Sequence, residues 1–124
     1  MLIKRLLQLN LIVSALIAIT FIFLPQTTLA LYGLSGGSSL QVIAQYFGTT
    51  HLAFAVLLWF ALRLDEPRFL RMIVISFFAG DLAGTILLFV AQLGGLMGPS
   101  GWVLIGMSAL FAIGYGYALI RKHP

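Results

Sequence analysis

Four long runs of apolar residues, separated by short polar segments, dominate the chain. They cover residues 6–24, 40–62, 69–93 and 101–120. Each run is close to the length, about 20 apolar residues, that a helix needs to cross a bilayer. The strands of a membrane barrel would instead alternate with a period of two. The pattern predicts an all-α fold in which residues 1–124 form one antiparallel bundle of four membrane-spanning helices.

The breaks between the runs contain residues that end or start helices. Pro25 ends the first run, because proline does not continue a helix. Residues 26–39 mix Leu and Tyr with Thr, Gly and Ser, so they are expected to lie in the membrane interface. The Asp-Glu-Pro sequence at 65–67 suits the first turn of the third helix. Since the connections are short, consecutive helices are expected to be neighbours in the bundle.

Cationic side chains stand only at the boundaries of the runs. Two precede the first run, three lie between the second and third, and two follow the fourth: Lys4, Arg5, Arg63, Arg68, Arg71, Arg121 and Lys122. Cations collect in loops that stay cytoplasmic. Both termini and the connection between the second and third runs are therefore predicted to be cytoplasmic. The connections after the first and third runs are predicted to lie outside.

Composition narrows the function classes. Only 8% of the residues are charged, against about 25% in a soluble domain. The net charge of +4 is divided among three short patches, which indicates membrane insertion rather than nucleic-acid binding. The chain has no Cys, so disulfides and thiolate metal sites are excluded. The first run is long for a signal-peptide core and is expected to be a permanent span.

Two ionisable residues are predicted to share a level near the membrane midplane. His51 lies twelve residues before Arg63, and Asp81 lies twelve residues after Phe69. At a rise of about 1.5 Å per residue, both are about 18 Å from the cytoplasmic end of their helices. Groups at this depth are costly and normally face a partner or a cavity. A structural pair, a ligand or proton site, and side chains that face different ways all remain open.

Other small and polar residues extend the candidate site. The hydroxyls of Thr50, Thr85 and Ser108 are predicted to lie near the pair, although each alone often bonds to its own helix backbone. Small residues at helical spacing predict close helix packing, and they are Gly48, Gly80, Gly84, Ala112 and Gly116. One His and one carboxylate fall short of a three-ligand zinc site, so no metal is predicted. A lone His is also able to ligate haem or chlorophyll, and the cofactor stays open.

Several short sequences carry a family resemblance. They are Leu31-Tyr32-Gly33-Leu34-Ser35, Leu58-Trp59-Phe60-Ala61-Leu62-Arg63, Ala79-Gly80-Asp81-Leu82-Ala83-Gly84 and Gly114-Tyr115-Gly116-Tyr117. Together they resemble small bacterial membrane proteins related to the DoxX-like four-helix group. The resemblance implies a four-helix bundle in the bacterial inner membrane. It supplies no activity and no catalytic residue.

These observations favour a non-enzymatic membrane protein. The first hypothesis is an accessory subunit of a larger membrane complex, or a binder of a quinone, lipid or pigment near His51 and Asp81. The alternative is a small proton-linked transporter or channel in which Asp81 carries the proton and His51 relays it. A membrane enzyme ranks third, because no substrate-binding motif accompanies the pair. The expected partners are the lipid bilayer and either other membrane subunits or further copies of the chain.

Overall fold

A computed structural model describes residues 2–121 of the chain. Within this range the structure is entirely helical apart from the connections. The five helices are α1 (Leu2–Phe23), α2 (Pro25–Leu31), α3 (Ser38–Ala61), α4 (Pro67–Leu93) and α5 (Gly101–Ile120).

Four of the helices, α1, α3, α4 and α5, are long and apolar enough to cross a membrane. They correspond to the four predicted spans, and the all-α bundle is confirmed. Their outward surfaces carry many exposed large apolar side chains, such as Leu16, Leu87 and Ile113. In water such surfaces would be unfavourable, whereas lipid tails are as apolar as these side chains. The chain is a multi-pass membrane protein.

The short helix α2 was not among the predicted helices, since residues 26–39 were predicted only to lie in the membrane interface. Pro25 explains the difference. It stops α1, but its fixed φ and missing N–H suit the first position of a new helix. The hydroxyl of Thr28 then donates to the backbone oxygens of Thr20 (3.0 Å) and Leu24 (2.6 Å). These bonds fold α2 back against the end of α1.

The helices associate in two close pairs. α3 packs along α1, and α4 packs along α5, whereas the consecutive helices α3 and α4 make little backbone contact. The consecutive helices α3 and α4 meet mainly through side chains, such as Phe54 and Phe77, whose ring centroids lie 5.4 Å apart. Small residues explain the closeness of the first pair. A Cβ added at Gly48 of α3 would stand 2.9 Å from Ile22 Cγ1 and 3.0 Å from Phe21 Cβ of α1.

The two ends of the bundle differ in charge and are held by different contacts. At the end where α1 begins and α5 ends, Lys4 Nζ donates to the backbone oxygens of Leu62 (2.9 Å) and Leu64 (2.5 Å), which follow α3. We call this the basic end. At the opposite end, the Gly98 N–H donates to Tyr32 O at 2.9 Å. The assignment of the basic end to the cytoplasm stays a prediction.

Two apolar clusters lie towards these ends. The larger cluster lies in the basic half and includes Leu7, Leu58, Val74, Phe77 and Tyr115. Because these residues come from all four long helices, this cluster closes the space between the two helix pairs on the basic side. The smaller cluster, near α2, is built on Phe21, Leu29 and Ala44 and belongs to α1, α2 and α3.

Candidate functional site

A cavity of about 440 Å³ lies between the helix pairs, near the middle of the four long helices. Its wall is mostly apolar and includes four phenylalanines: Phe47, Phe54, Phe77 and Phe111. Six polar side chains also line it: Asn10, Ser14, His51, Ser76, Asp81 and Ser108. All four long helices contribute, so the cavity exists only in the assembled bundle.

Asp81 is the acidic residue of this cavity. It stands near the middle of α4, and its Oδ2 atom is buried without a hydrogen-bond partner among the described residues. Thr85, one turn further on, donates its hydroxyl to the Asp81 backbone oxygen (2.7 Å), not to the carboxylate. A buried carboxylate oxygen without a partner is costly. The carboxyl group therefore stands ready to receive a proton or a donor from a bound molecule.

His51 lines the same cavity from α3. Its Nδ1 atom lies 3.2 Å from the backbone oxygen of Phe47, one turn earlier in the same helix. Its ring lies against those of Phe47 and Phe54, with centroid separations of 4.4 and 5.3 Å. No hydrogen bond or ion pair joins His51 to Asp81. The two predicted partners share a cavity but do not form a direct pair, because α3 and α4 stand apart.

A buried polar cluster on α1 and α5 includes Asn10 and Tyr115, which were not part of the predicted site. Asn10 Nδ2 donates to the Tyr115 hydroxyl at 2.7 Å, and the Ser14 hydroxyl donates to Asn10 Oδ1 at 3.0 Å. All three residues are buried. The sequence carries a signal for the α1 part: Asn10 and Ser14 are one turn apart in an otherwise apolar run, so they share a helix face. No spacing in the sequence links them to Tyr115, 105 residues away from Asn10.

The three predicted hydroxyl residues have different positions. Ser108 lines the cavity, as His51 and Asp81 do. Thr50 is exposed on α3 and donates to Tyr46 O at 3.2 Å. Thr85 bonds to its own helix, as described above. Thr50 and Thr85 are not among the lining residues of the cavity.

The predicted packing residues also separate into two groups. Gly48 faces α1, Ala112 is buried, and a Cβ at Gly116 would stand 3.0 Å from Phe78 Cε1 of α4. Gly84 and Gly80 both line the cavity. A Cβ at Gly84 would meet Ser108 Oγ at an ordinary 3.8 Å, and one at Gly80 would meet no atom within 4 Å. Gly80 was expected at a close helix contact, but it lines the cavity instead.

The cavity opens towards the side of the bundle. Ser76 and Gly80 of α4 line the cavity and are exposed, and Leu57 of α3 lines it with 46% of its surface exposed. These residues stand where α3 and α4 make little backbone contact. In a bilayer this gap faces the lipid tails. A molecule dissolved in the membrane is able to enter here without crossing either apolar cluster.

The donor set of the cavity suits hydrogen bonding better than metal binding. Within residues 2–121, no group of three His, Cys, Asp or Glu residues is placed to hold a metal ion. His51 and Asp81 alone supply fewer than the three protein ligands of a catalytic zinc site. What the cavity offers is a large apolar wall with a few polar groups.

No family model, no curated protein and no solved structure matches this chain.

Proposed function

We propose that this protein binds a small hydrophobic molecule, taken from the bilayer, in the cavity between its two helix pairs. The observation that carries this proposal is the cavity of about 440 Å³, which is lined by all four long helices and has a mostly apolar wall. Ligand sites in proteins commonly have volumes of roughly 300–1,000 Å³ and apolar walls with a few convergent polar groups. The four phenylalanines supply the wall, and His51, Asp81 and Ser108 supply polar groups.

The sideways opening supports a ligand that dissolves in lipid. A quinone, lipid or pigment reaches the opening through the membrane, whereas a water-soluble molecule from the basic end would have to pass the larger apolar cluster. The partnerless Asp81 Oδ2 also supports a binding role, because a structural carboxyl group would be expected to have protein partners.

The alternative, a proton-linked transporter that uses Asp81 and His51, receives less support. Transport needs a polar path to both faces of the membrane. The larger cluster fills the basic half with Leu7, Leu58, Val74 and their neighbours. A direct relay between His51 and Asp81 would also need a bridging molecule. An enzymatic role likewise has no geometric feature in its favour beyond the same two residues.

The proposal also covers the cellular location, the relatives and the partners of the protein. We place the protein in a bacterial inner membrane as a relative of the DoxX-like group, on the resemblance of its short sequence motifs. Association with other membrane subunits stays a prediction. Purification in mild detergent tests it, because a stable accessory subunit should retain its partners.

Native mass spectrometry of the protein released from mild detergent tests ligand binding. The wild type should carry a bound apolar molecule, visible as a discrete added mass. Gly80→Leu should lose this mass, since its side chain would occupy the cavity, where a Cβ meets no atom within 4 Å. Gly106→Leu is the matched control. It also has open space around its Cβ, but Gly106 is not a lining residue.

An added mass that persists in Gly80→Leu would place the ligand elsewhere. A wild type without any added mass, even after incubation with a quinone or with lipid extract, would remove the support for a binding function.

A further inference from the structure

One polar group of the cavity is a hydrogen-bond acceptor without a donor from residues 2–121. Asp81 Oδ2 is buried and accepts no hydrogen bond from the described residues. None of the other cavity residues on α4 is a cation, and Ser76 donates its hydroxyl to Met72 O at 2.9 Å. An ionised Asp81 would thus present its charge to whatever occupies the cavity.

The contact of His51 with its own helix determines what its ring offers the cavity. A carbonyl oxygen only accepts hydrogen bonds, so the Nδ1 atom 3.2 Å from Phe47 O must carry the proton. In the neutral imidazole, the other nitrogen, Nε2, is then an acceptor. In its neutral form, His51 therefore adds a second acceptor to the cavity.

The aromatic wall of the cavity favours a positively charged ligand. Phe54 and Phe77 meet edge to face across the gap between α3 and α4, with ring centroids 5.4 Å apart. Phe47 and Phe111 complete the aromatic part of the lining. The faces of aromatic rings are negative and attract cations, and this attraction is stronger where water is excluded.

No Lys or Arg among residues 2–121 lines this site. The described cationic residues, Lys4, Arg5, Arg63, Arg68, Arg71 and Arg121, belong to the segments at the basic end. Lys4 and Arg71 donate there to backbone oxygens. Among residues 2–121, no Lys, Arg or His forms an ion pair with Asp81. A carboxylate near the membrane midplane requires a proton or a positive partner, and the bound molecule is the remaining source of a positive partner.

We propose that the ligand is a lipophilic organic cation with a single positive charge, for which Asp81 is the counter-ion and the phenylalanines form the apolar wall. This proposal rests on the proposed function and specifies the chemistry of its ligand. The apolar body of such a molecule explains its entry from the bilayer between α3 and α4. Its charge replaces the protein partner that Asp81 lacks.

A pair of ions with matched shape and opposite charge tests the proposal. Tetraphenylphosphonium and tetraphenylborate differ mainly in the sign of their charge. Equilibrium dialysis should show that the wild-type protein in detergent binds the cation at least tenfold more tightly than the anion, after subtraction of protein-free micelles. Asp81→Asn should weaken binding of the cation at least tenfold, and Asp81→Glu should restore part of it. Asp65→Asn, the same change in the exposed α3–α4 turn, should leave binding unchanged.

The outcomes separate this proposal from the proposed function. Equal binding of both ions, or tighter binding of the anion, would overturn the cation assignment but leave a hydrophobic cavity site intact. Cation binding that Asp81→Asn does not weaken would also overturn it. Failure of the wild type to bind the cation, together with an added mass that Gly80→Leu removes, would mean that the ligand is neutral. The wild-type comparison is decisive even if Asp81→Asn does not fold.

Discussion

His51 and Asp81 line one cavity from α3 and α4, yet neither side chain bonds to the other. His51 bonds to the backbone of its own helix, and the Oδ2 atom of Asp81 has no partner. Equal depth on consecutive helices placed both residues at the cavity, but the association of α3 with α1 and of α4 with α5 kept them apart. The separation leaves room for a ligand between groups that would otherwise satisfy one another.

A double-mutant cycle should therefore show little coupling between the two residues. We expect the effects of His51→Ala and Asp81→Asn on the free energy of unfolding to add within about 0.5 kcal/mol, as for residues that share no contact. Asp81→Asn alone should retain the fold, because Oδ2 has no hydrogen bond to lose. Unfolding in mixed detergent micelles measures all four proteins. A coupling energy well above 1 kcal/mol would instead indicate a direct pair.

Bulk at the contact between α1 and α3 should be poorly tolerated. A side chain at Gly48 would meet Ile22 and Phe21 at about 3 Å, and overpacking of this kind typically costs about 1–3 kcal/mol. Gly48→Leu should thus lower the thermal stability in detergent. Gly106→Leu should not, since its Cβ has open space.

Gly84 provides an intermediate case on the contact between α4 and α5. Its Cβ would stand 3.8 Å from Ser108 Oγ, so Gly84→Ala should be tolerated, whereas Gly84→Leu should loosen the bundle. The melting temperatures of the two variants and of the wild type show whether Gly84→Leu is the least stable of the three. A Gly84→Leu protein as stable as the wild type would show that the cavity absorbs the added side chain.

The bond between Asn10 and Tyr115 should stabilise the contact of α1 with α5. Tyr115→Phe removes the hydroxyl and leaves the buried Asn10 Nδ2 without this partner. A loss of about 1–3 kcal/mol in the free energy of unfolding is expected for an unsatisfied buried group. Tyr117→Phe is the control, because Tyr117 is 54% exposed. Equal effects of the two changes would mean that the bond contributes little.

The sidedness of the bundle is open to direct measurement. The chain has no native Cys, so single substitutions can be labelled without background. Ser35→Cys should react with a membrane-impermeant maleimide added outside intact cells. Leu64→Cys, in the turn next to Arg63, should react only after the cells are opened. The reverse result would invert the topology predicted from the cationic residues.

The sequence determined the number and the approximate bounds of the long helices. Runs of about 20 apolar residues have no stable alternative to the helix in a bilayer, because every backbone polar group must be paired within its own segment. The positions of the basic residues in the sequence likewise predicted that they lie at one end of the bundle. The depth of His51 and Asp81 followed from counting, since the rise per residue of a helix is fixed.

Tertiary structure decided which helices pair and which faces meet. Rotation about a helix axis depends on contacts with residues far away in the sequence, such as Gly48 against Phe21, and apolar runs without a polar face give little indication of it. This is why Gly80 was expected at a helix contact but lines a cavity, and why Thr50 and Thr85 were expected at the site but bond to their own helices. The bond from Asn10 to Tyr115 and the gap between α3 and α4 exist only once the four helices have packed.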